Sequence, residues 1–169
     1  LFLHFIAFVI SEYTINSFRC YGGFISRSFQ FEKQGVPTGG IYGSTTGCQP
    51  YSIPPNNLLQ PTTPVCSHDC IPQYGRSLNS CLYYGSGPYW LTSSEAAMQD
   101  MYNHGPIVGV FEIFEDLFYY KSGVYQHKEG GTRGYHAVRI MGWGEESGEK
   151  YWLIANSWNT TFGIEGNHG

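Results

Sequence analysis

The sequence predicts an α+β fold, because it combines a capped helix with several strand-like apolar runs. Thr92-Ser93-Ser94-Glu95 has the form of a capping box that opens a helix running through Asn103. Residues 107–114, IVGVFEIF, alternate in hydrophobicity as a strand does. The 22 glycines and 14 tyrosines among 169 residues favour irregular loops and short strands over a helical bundle. A chain of this length fits one domain, or one domain and part of another.

Three further segments complete the predicted elements. Residues 22–34 place apolar side chains at approximate helical spacing and predict a short helix. Residues 39–80 show little periodicity and much proline, asparagine, serine and threonine, which predicts a long loop region. Two apolar runs, residues 135–143 and 150–158, flank the polar segment GEESGE at 144–149 and predict an antiparallel hairpin.

The hairpin brings a histidine and an asparagine together. A turn centred near Glu146 or Ser147 makes the numbers of facing residues sum to about 292 to 294, and those of His136 and Asn156 sum to 292. Facing residues have Cβ atoms about 4.5–5.5 Å apart, which allows a side-chain hydrogen bond. Such a bond fixes the imidazole tautomer and orients the ring, as a general base and its orienting partner require. A purely structural pair is the alternative that the spacing leaves open.

Charge and composition argue against several functional classes. Only 13% of the residues are charged and the net charge is -4, so nucleic acid and anionic membranes are not expected partners. No pair of histidines has metal-ligand spacing beside the cysteines, so we expect neither a metal site nor a cofactor. The apolar run at residues 1–10 is too short to span a bilayer. It is open to interpretation as the end of a signal sequence, as a buried strand or as a gene-model artefact, and we adopt the last.

Five segments resemble the papain-like cysteine peptidases, and cathepsin B-like members in particular. They are RCYGGF (19–24), GCQPYSIPP (47–55), EIFEDLFYYKSGVYQH (112–127), GYHAVRIMGWG (134–144) and KYWLIANSWN (150–159). The resemblance runs in collinear order from about residue 19 to the end of the sequence. It implies a two-lobe fold, one lobe helical and one a β-barrel, with the cleft between them.

The resemblance also implies roles for individual residues. His136 would be the general base and acid, Asn156 would orient it, and Trp158 would shield their hydrogen bond from water. Gly22 and Gly23 would bind the substrate backbone as an added strand, for which the absence of a side chain is required.

The resemblance divides the chain into three parts. Residues 1–18 form an apolar segment that does not match. Residues 19–74 would be a remnant of the helical lobe with a shortened occluding-loop region, and residues 75–169 the β-barrel lobe. We expect both lobes to be incomplete.

The nucleophile that the resemblance requires is not found. The family signature C-G-[SA]-C-[WY] precedes the histidine by about 130–150 residues. Residues 1–19 contain no cysteine, and none of the five cysteines present stands in that context. We therefore expect the chain by itself to be inactive.

The odd number of cysteines is consistent with lost partners. Disulfides and an oxidising compartment are expected from five cysteines, of which at least one must stay unpaired. By resemblance, Cys48 and Cys70 would form a disulfide, and the partners of Cys20 and Cys66 would lie outside this sequence. Cys81 has no counterpart in the family pattern and is expected to be unpaired.

Three other positions depart from cathepsin B or bear on its cleft. Leu58 and Leu59 stand where the occluding loop carries two histidines that hold a substrate carboxylate, and leucine cannot donate a hydrogen bond. Dipeptidyl-carboxypeptidase activity is therefore not expected. Tyr135 replaces a glycine, and its phenol would either crowd the cleft or tilt into solvent. The sequon at residues 159–161 lies so near the expected site that we expect it to be unoccupied.

Three functional hypotheses follow. The first is a fragment of a cathepsin B-like cysteine-type endopeptidase of the lysosome or of extracellular digestion. It would act on peptides or proteins as a monomer and would bind protein inhibitors of such peptidases. The second is an inactive homologue that binds peptides or inhibitors without cutting them. The third is a secreted β domain whose histidine–asparagine pair is structural.

Overall fold

The computed structural model describes residues 23–54, 64–65, 67–158, 162–163 and 167–168. They form two compact units, one ending at Tyr89 and the other beginning at Trp90. The lobe boundary that the sequence suggests between residues 74 and 75 stays a prediction. None of the described helices is long and apolar enough to cross a membrane. The segment 1–18, Gly22, the leucine pair at 58–59 and the sequon lie outside the described residues.

The described part of the first unit contains one helix, a two-stranded ribbon and two short 3-10 turns. Helix α1 spans Ile25–Glu32, within the predicted range. Strand β1 (Val36–Pro37) pairs antiparallel with β2 (Leu82–Tyr83). The 3-10 turns are Pro72–Tyr74 and Leu78–Ser80, and the described residues of the region predicted as a loop are otherwise irregular, as expected.

The loop region of the first unit is held by main-chain hydrogen bonds and a disulfide. The N–H of Gln49 donates to the Thr38 carbonyl at 3.0 Å, and that of Ile71 donates to the Cys48 carbonyl at 2.8 Å. A disulfide joins Cys48 to Cys70 across 22 residues of chain. These bonds supply partners for backbone groups that a buried loop would otherwise leave unpaired.

The second unit begins with helix α2, Ser94–His104. Its N-cap is Ser93, whose hydroxyl accepts the Ala96 N–H at 3.2 Å. The cap is thus the second residue of the predicted capping box rather than Thr92, its first, and Ser93 has the extended conformation that a cap needs. Ala97 and Met101, four residues apart on one side of the helix, are buried.

A four-stranded antiparallel sheet follows helix α2 in the second unit. Its strands lie in chain order: β3 (Ile107–Phe114), β4 (Thr132–Glu146), β5 (Glu149–Ala155) and β6 (Asn167–His168). Helix α2 contacts β3 and β4. Among the described residues of this unit, the buried apolar ones are Ala97, Met101, Ile113, Leu117 and Val138. The strands and the hairpin predicted from the sequence are confirmed, and the fold is α+β.

The hairpin between β4 and β5 turns later than predicted and is irregular. Ser147 and Gly148, with φ of 55° and 87°, form the turn, and Glu146 faces Glu149. Facing numbers therefore sum to 295 at the turn and change to 294 at the Ile140–Ile154 pair, because the ladder shifts between Ile140 and Gly142. The sum of 294 lies within the predicted range, but it means that His136 and Asn156, whose numbers sum to 292, are not directly opposed, so that part of the prediction is wrong.

Candidate active site

Strand β4 places His136 on one face of the sheet beside apolar neighbours. His136 faces Phe111 across the β3–β4 ladder, and their ring centroids are 6.1 Å apart. Val138, two residues along the strand and hence on the same face, is 3% exposed. Tyr135 points to the other face by the same alternation and is 76% exposed.

The shift in the β4–β5 ladder decides whether Asn156 can reach His136. If facing numbers summed to 295 throughout, Asn156 would lie opposite Arg139, on the face away from His136. Beyond Met141 the sum is 294 as far as the last pair, Arg139–Ala155, and Asn156, the next residue along the chain, is therefore expected on the face of His136. The bulge at Met141 thus makes the two side chains diagonal neighbours on one face.

The histidine and the asparagine are joined by a hydrogen bond whose direction the structure fixes. Nε2 of His136 lies 2.8 Å from Oδ1 of Asn156. The main-chain N–H of Ser157 also donates to Oδ1, at 2.8 Å, so this atom of the amide must be the oxygen. An amide oxygen only accepts, so the neutral imidazole carries its proton on Nε2 and its lone pair on Nδ1.

The other end of the Asn156 amide is buried without a partner. Nδ2 finds no hydrogen-bond acceptor within the described part of the chain. A buried donor left unpaired costs about 1–3 kcal/mol. The orientation of Asn156 is therefore retained at some expense to stability.

Aromatic rings cover the His136–Asn156 bond. The indole of Trp158 stacks on the imidazole, with centroids 5.0 Å apart and planes at 26°. Phe118 stacks on Trp158 at 5.4 Å and 10°, and Phe162 meets the indole edge-on at 4.8 Å. The indole reduces the access of water to the imidazole face on which it stacks, and a lower local dielectric constant strengthens a hydrogen bond.

Burial lowers the pKa of His136 below its ordinary value of 6.5, although the hydrogen bond to Asn156 raises it in part. The imidazole is therefore neutral at pH 7 and available as a base at Nδ1.

The loop that carries Phe118 is held by one carboxylate. Asp116 accepts hydrogen bonds from Tyr125 at 2.5 Å, His127 at 3.1 Å and the N–H groups of Lys128 and Glu129 at 2.7 and 3.3 Å. Partial burial raises the pKa of Asp116, but these bonds outweigh it and hold that pKa far below its usual range. The loop from the 3-10 helix Glu115–Tyr119 to β4 is thereby fixed at physiological pH.

The structure brings three of the predicted site residues together. His136, Asn156 and Trp158 are in contact as predicted. Tyr135 lies on the other face, which favours the solvent-facing alternative. Gly23 belongs to the first unit and Gly22 is outside the described residues.

The described cysteines all belong to the first unit. Cys48 and Cys70 form the disulfide that the resemblance implied. Cys81 is free and buried. Cys20 and Cys66 are outside the described residues.

Sequence reasoning missed two groups that shape the site. Phe118 lies in the segment that resembles cathepsin B, but nothing in its spacing indicates that it stacks on Trp158. The N–H of Ser157 fixes the Asn156 amide and carries no side-chain signal at all.

The basic nitrogen of the imidazole can take a proton from a nucleophile and return it. The amide orients the ring and the indole stacks on it. This is the chemistry of the histidine in nucleophilic hydrolases. The chain belongs to the papain family: the family model described as papain family cysteine protease matches residues 10–168. The fold is accordingly an incomplete papain-like fold, and the family is one of cysteine-type peptidases.

Individual relatives agree with this assignment. Cathepsin B-like cysteine proteinase 3 of Caenorhabditis elegans is 39% identical over 160 residues, covering 90% of this chain and 43% of that protein. The gut-specific cysteine proteinase of the same organism is 39% identical over 152 residues, covering 87% of this chain and 46% of that protein. The structure of procathepsin B S9 from Trypanosoma congolense matches with a TM-score of 0.80 at 33% identity, over 96% of this chain and 52% of that one. The chain spans about half the length of the relatives it matches.

Proposed function

We propose that this chain carries the histidine and asparagine of a cathepsin B-like cysteine endopeptidase. The observation that carries the proposal is the 2.8 Å hydrogen bond from Nε2 of His136 to an Asn156 oxygen that Ser157 holds in place. A His136–Asn156 pair with a purely structural role would require a hydrogen bond but no particular tautomer of the imidazole. Catalysis needs the tautomer with a free lone pair on Nδ1, and this arrangement produces it.

In the proposed mechanism, Nδ1 of His136 takes the proton of a cysteine thiol, and the thiolate attacks the scissile carbonyl. Asn156 Oδ1 accepts a hydrogen bond from the imidazolium in this state and keeps the ring aligned. The same proton then passes from Nδ1 to the leaving amine as the peptide bond breaks. Water, deprotonated by His136, hydrolyses the acyl-enzyme and regenerates the thiol.

The polypeptide of 169 residues is proposed to be inactive on its own. Cys48 and Cys70 are linked to each other and Cys81 is buried against their disulfide, so none of the three is free to attack a substrate. Cys20 and Cys66 do not stand in the nucleophile signature of the family. Without a nucleophile, His136 has no thiol to deprotonate.

The remaining functional features are proposed from the family. Gly22 and Gly23 would pair with the backbone of a bound peptide, and the substrates would be peptides or proteins. Partners would include protein inhibitors of cysteine peptidases, and the protein would be a monomer of the lysosome or of extracellular digestive fluid. The disulfide is consistent with such an oxidising environment.

A second candidate is a pseudopeptidase that binds peptides or inhibitors without hydrolysis. The state of the three described cysteines is the observation that favours it.

An experiment that supplies the missing nucleophile distinguishes the peptidase from the pseudopeptidase. The 169-residue chain is assayed with a fluorogenic peptide, alone and extended at its N-terminus by the cysteine-bearing segment of a cathepsin B-like relative. We expect no hydrolysis by the chain alone and thiol-dependent hydrolysis by the extended chain. His136→Ala in the extended chain should reduce kcat by about 10³-fold or more.

The control is Tyr135→Gly, which changes the residue beside His136 on the other face of the sheet and should retain activity. Full activity of the His136→Ala chain would contradict the proposed base. An extended chain that binds peptide inhibitors but cleaves nothing would establish the pseudopeptidase instead.

A further inference from the structure

Three cysteine sulfurs meet in the first unit, outside the site described above. Sγ of Cys81 lies 3.5 Å from Sγ of Cys70, which is bonded to Cys48. All three sulfurs lie within 4.8 Å of one another. A free thiol at this distance from a disulfide is a potential nucleophile toward it, since reacting atoms in near-attack geometry are about 3–3.5 Å apart.

We propose that Cys81 and the Cys48–Cys70 disulfide form an intramolecular thiol–disulfide exchange site. The Cys81 thiol loses its proton to solvent, and the resulting thiolate attacks Sγ of Cys70. The Cys70–Cys81 bond forms as the Cys48–Cys70 bond breaks, and the Cys48 thiolate that leaves takes a proton from solvent. One disulfide and one thiol are present before and after, so the step needs no oxidant or reductant.

The environment of the three sulfurs favours attack from within the chain. Cys48 is fully buried and Cys81 is 5% exposed, so thiols in solution have little access to either. Cys81 is held next to its target by the 3-10 turn Leu78–Ser80, which it terminates. Proximity of this kind raises the rate of an intramolecular step relative to the bimolecular one.

In the resting state the Cys81 thiol is directed elsewhere. Its S–H donates to the Leu78 carbonyl, with sulfur and oxygen 3.1 Å apart. In-line attack on Cys70 would place the sulfurs of Cys81 and Cys48 about 5.5 Å apart, on opposite sides of Sγ of Cys70, given an S–S bond of about 2.05 Å. The two sulfurs lie within 4.8 Å of each other, so the three are not in line. Exchange therefore requires rotation of the Cys81 side chain away from Leu78, which slows the step.

Hydrogen bonds, in addition to the S–S bond, hold the backbone around the disulfide in place. The Cys48 carbonyl accepts the Ile71 N–H at 2.8 Å, and the Cys48 N–H donates to the Thr38 hydroxyl at 3.1 Å. The side-chain amide of Gln49 donates through Nε2 to the Ser67 carbonyl at 2.7 Å. Cys48 thus stays beside Cys70 after the bond opens, and the original pairing can be restored.

The two pairings cross-link different stretches of the chain. The Cys48–Cys70 bond spans 22 residues and a Cys70–Cys81 bond would span 11. Loop closure alone favours the shorter link by only about threefold, so packing around Cys48 and Cys81 decides which pairing dominates. The exchange would give the first unit two covalent states of equal oxidation level.

The test uses the full chain with Cys20→Ser and Cys66→Ser, so that only the three clustered cysteines remain. Folded protein is incubated at alkaline pH without denaturant, quenched with acid, unfolded, alkylated and mapped by mass spectrometry. We expect the label to move from Cys81 to Cys48 until a plateau is reached, with a Cys70–Cys81 linked peptide appearing in step. The rate should not depend on protein concentration.

The matched control adds Cys81→Ser, which keeps the shape of the side chain and removes the thiol. Labelling of Cys48 should fall to background in this variant. Exclusive labelling of Cys81 in the parent, or equal labelling of Cys48 with and without Cys81, would overturn the proposal. A second variant, Cys48→Ser, should form the Cys70–Cys81 disulfide in a glutathione redox buffer, and two persisting thiols there would also overturn it.

Discussion

The main-chain N–H of Ser157 donates a hydrogen bond of 2.8 Å to Oδ1 of Asn156, and this contact determines which nitrogen of His136 is the base. Were the amide reversed, its NH₂ group would face His136, and the imidazole would have to accept at Nε2 and carry its proton on Nδ1. The main-chain N–H of Ser157 can only donate, so it fixes the orientation of the Asn156 amide and, through it, the position of the proton on His136.

The first prediction concerns the pKa of His136. Asn156→Ala removes the hydrogen bond that raises this pKa, and it should fall further below 6.5. Asn156→Asp supplies a carboxylate that stabilises the imidazolium, so the pKa should rise above that of the unaltered chain. Titration of the imidazole by NMR measures both. A common pKa for the two variants would show that Asn156 does not interact with His136 in solution.

A second prediction concerns stability and pH. The pKa of His136 is lower in the folded chain than the 6.5 of an unfolded one, so unfolding takes up a proton between those two values. The free energy of unfolding should therefore rise with pH through this window, and the folded state is penalised below it. His136→Gln should flatten this part of the curve, as measured by urea unfolding at several pH values. The same change at exposed His68 is the control, and equal flattening by both would refute the assignment to His136.

A third prediction concerns the hairpin turn. Ser147 and Gly148 both have positive φ, as a type I′ turn requires, and serine is less suited to that conformation than asparagine. Ser147→Asn should raise the free energy of unfolding by about 0.5–1 kcal/mol. Ser147→Val should lower it, because a β-branched residue is strained at this φ. Thermal or urea unfolding compares them, and a valine variant as stable as the asparagine variant would contradict the turn geometry.

A fourth prediction concerns the buried side chain of Leu117, the residue before Phe118. Leu117 is fully buried, and Leu117→Ala should lower the free energy of unfolding by about 2–5 kcal/mol through lost contacts and a cavity. Tyr119, two residues on in the same 3-10 helix, is 83% exposed. Tyr119→Ala should change that free energy by less than about 0.5 kcal/mol. Similar losses for the two variants would show that this segment does not pack as described.

A fifth prediction concerns a close backbone approach beside the disulfide. A Cβ on Gly47 would lie 2.1 Å from the Gly39 carbonyl oxygen, which cannot move without displacing the main chain. Gly47→Ala should therefore destabilise the first unit by about 1–3 kcal/mol. Gly131 has open space where its Cβ would be, so Gly131→Ala should be nearly neutral in the same thermal melt. A neutral Gly47→Ala would contradict the close contact.

The sequence by itself determined the order of the elements and the partners in the candidate site. Alternating apolar residues defined β3, and two apolar runs around a polar turn defined the β4–β5 hairpin. The hairpin in turn indicated that His136 and Asn156 meet. These features could be read because hydrophobic periodicity and turn residues act locally, within a few positions of the chain.

Only the tertiary structure determined that the side chains of His136 and Asn156 share one face of the sheet. The turn at Ser147 and Gly148 would have put Asn156 on the wrong face, and the bulge at Met141 corrects it by one residue. A bulge leaves no periodic signal, because its position depends on packing across both ladders of β4. The distance from Cys81 to Cys70 likewise follows from how a 3-10 turn folds back on the disulfide, and no spacing in the sequence encodes it.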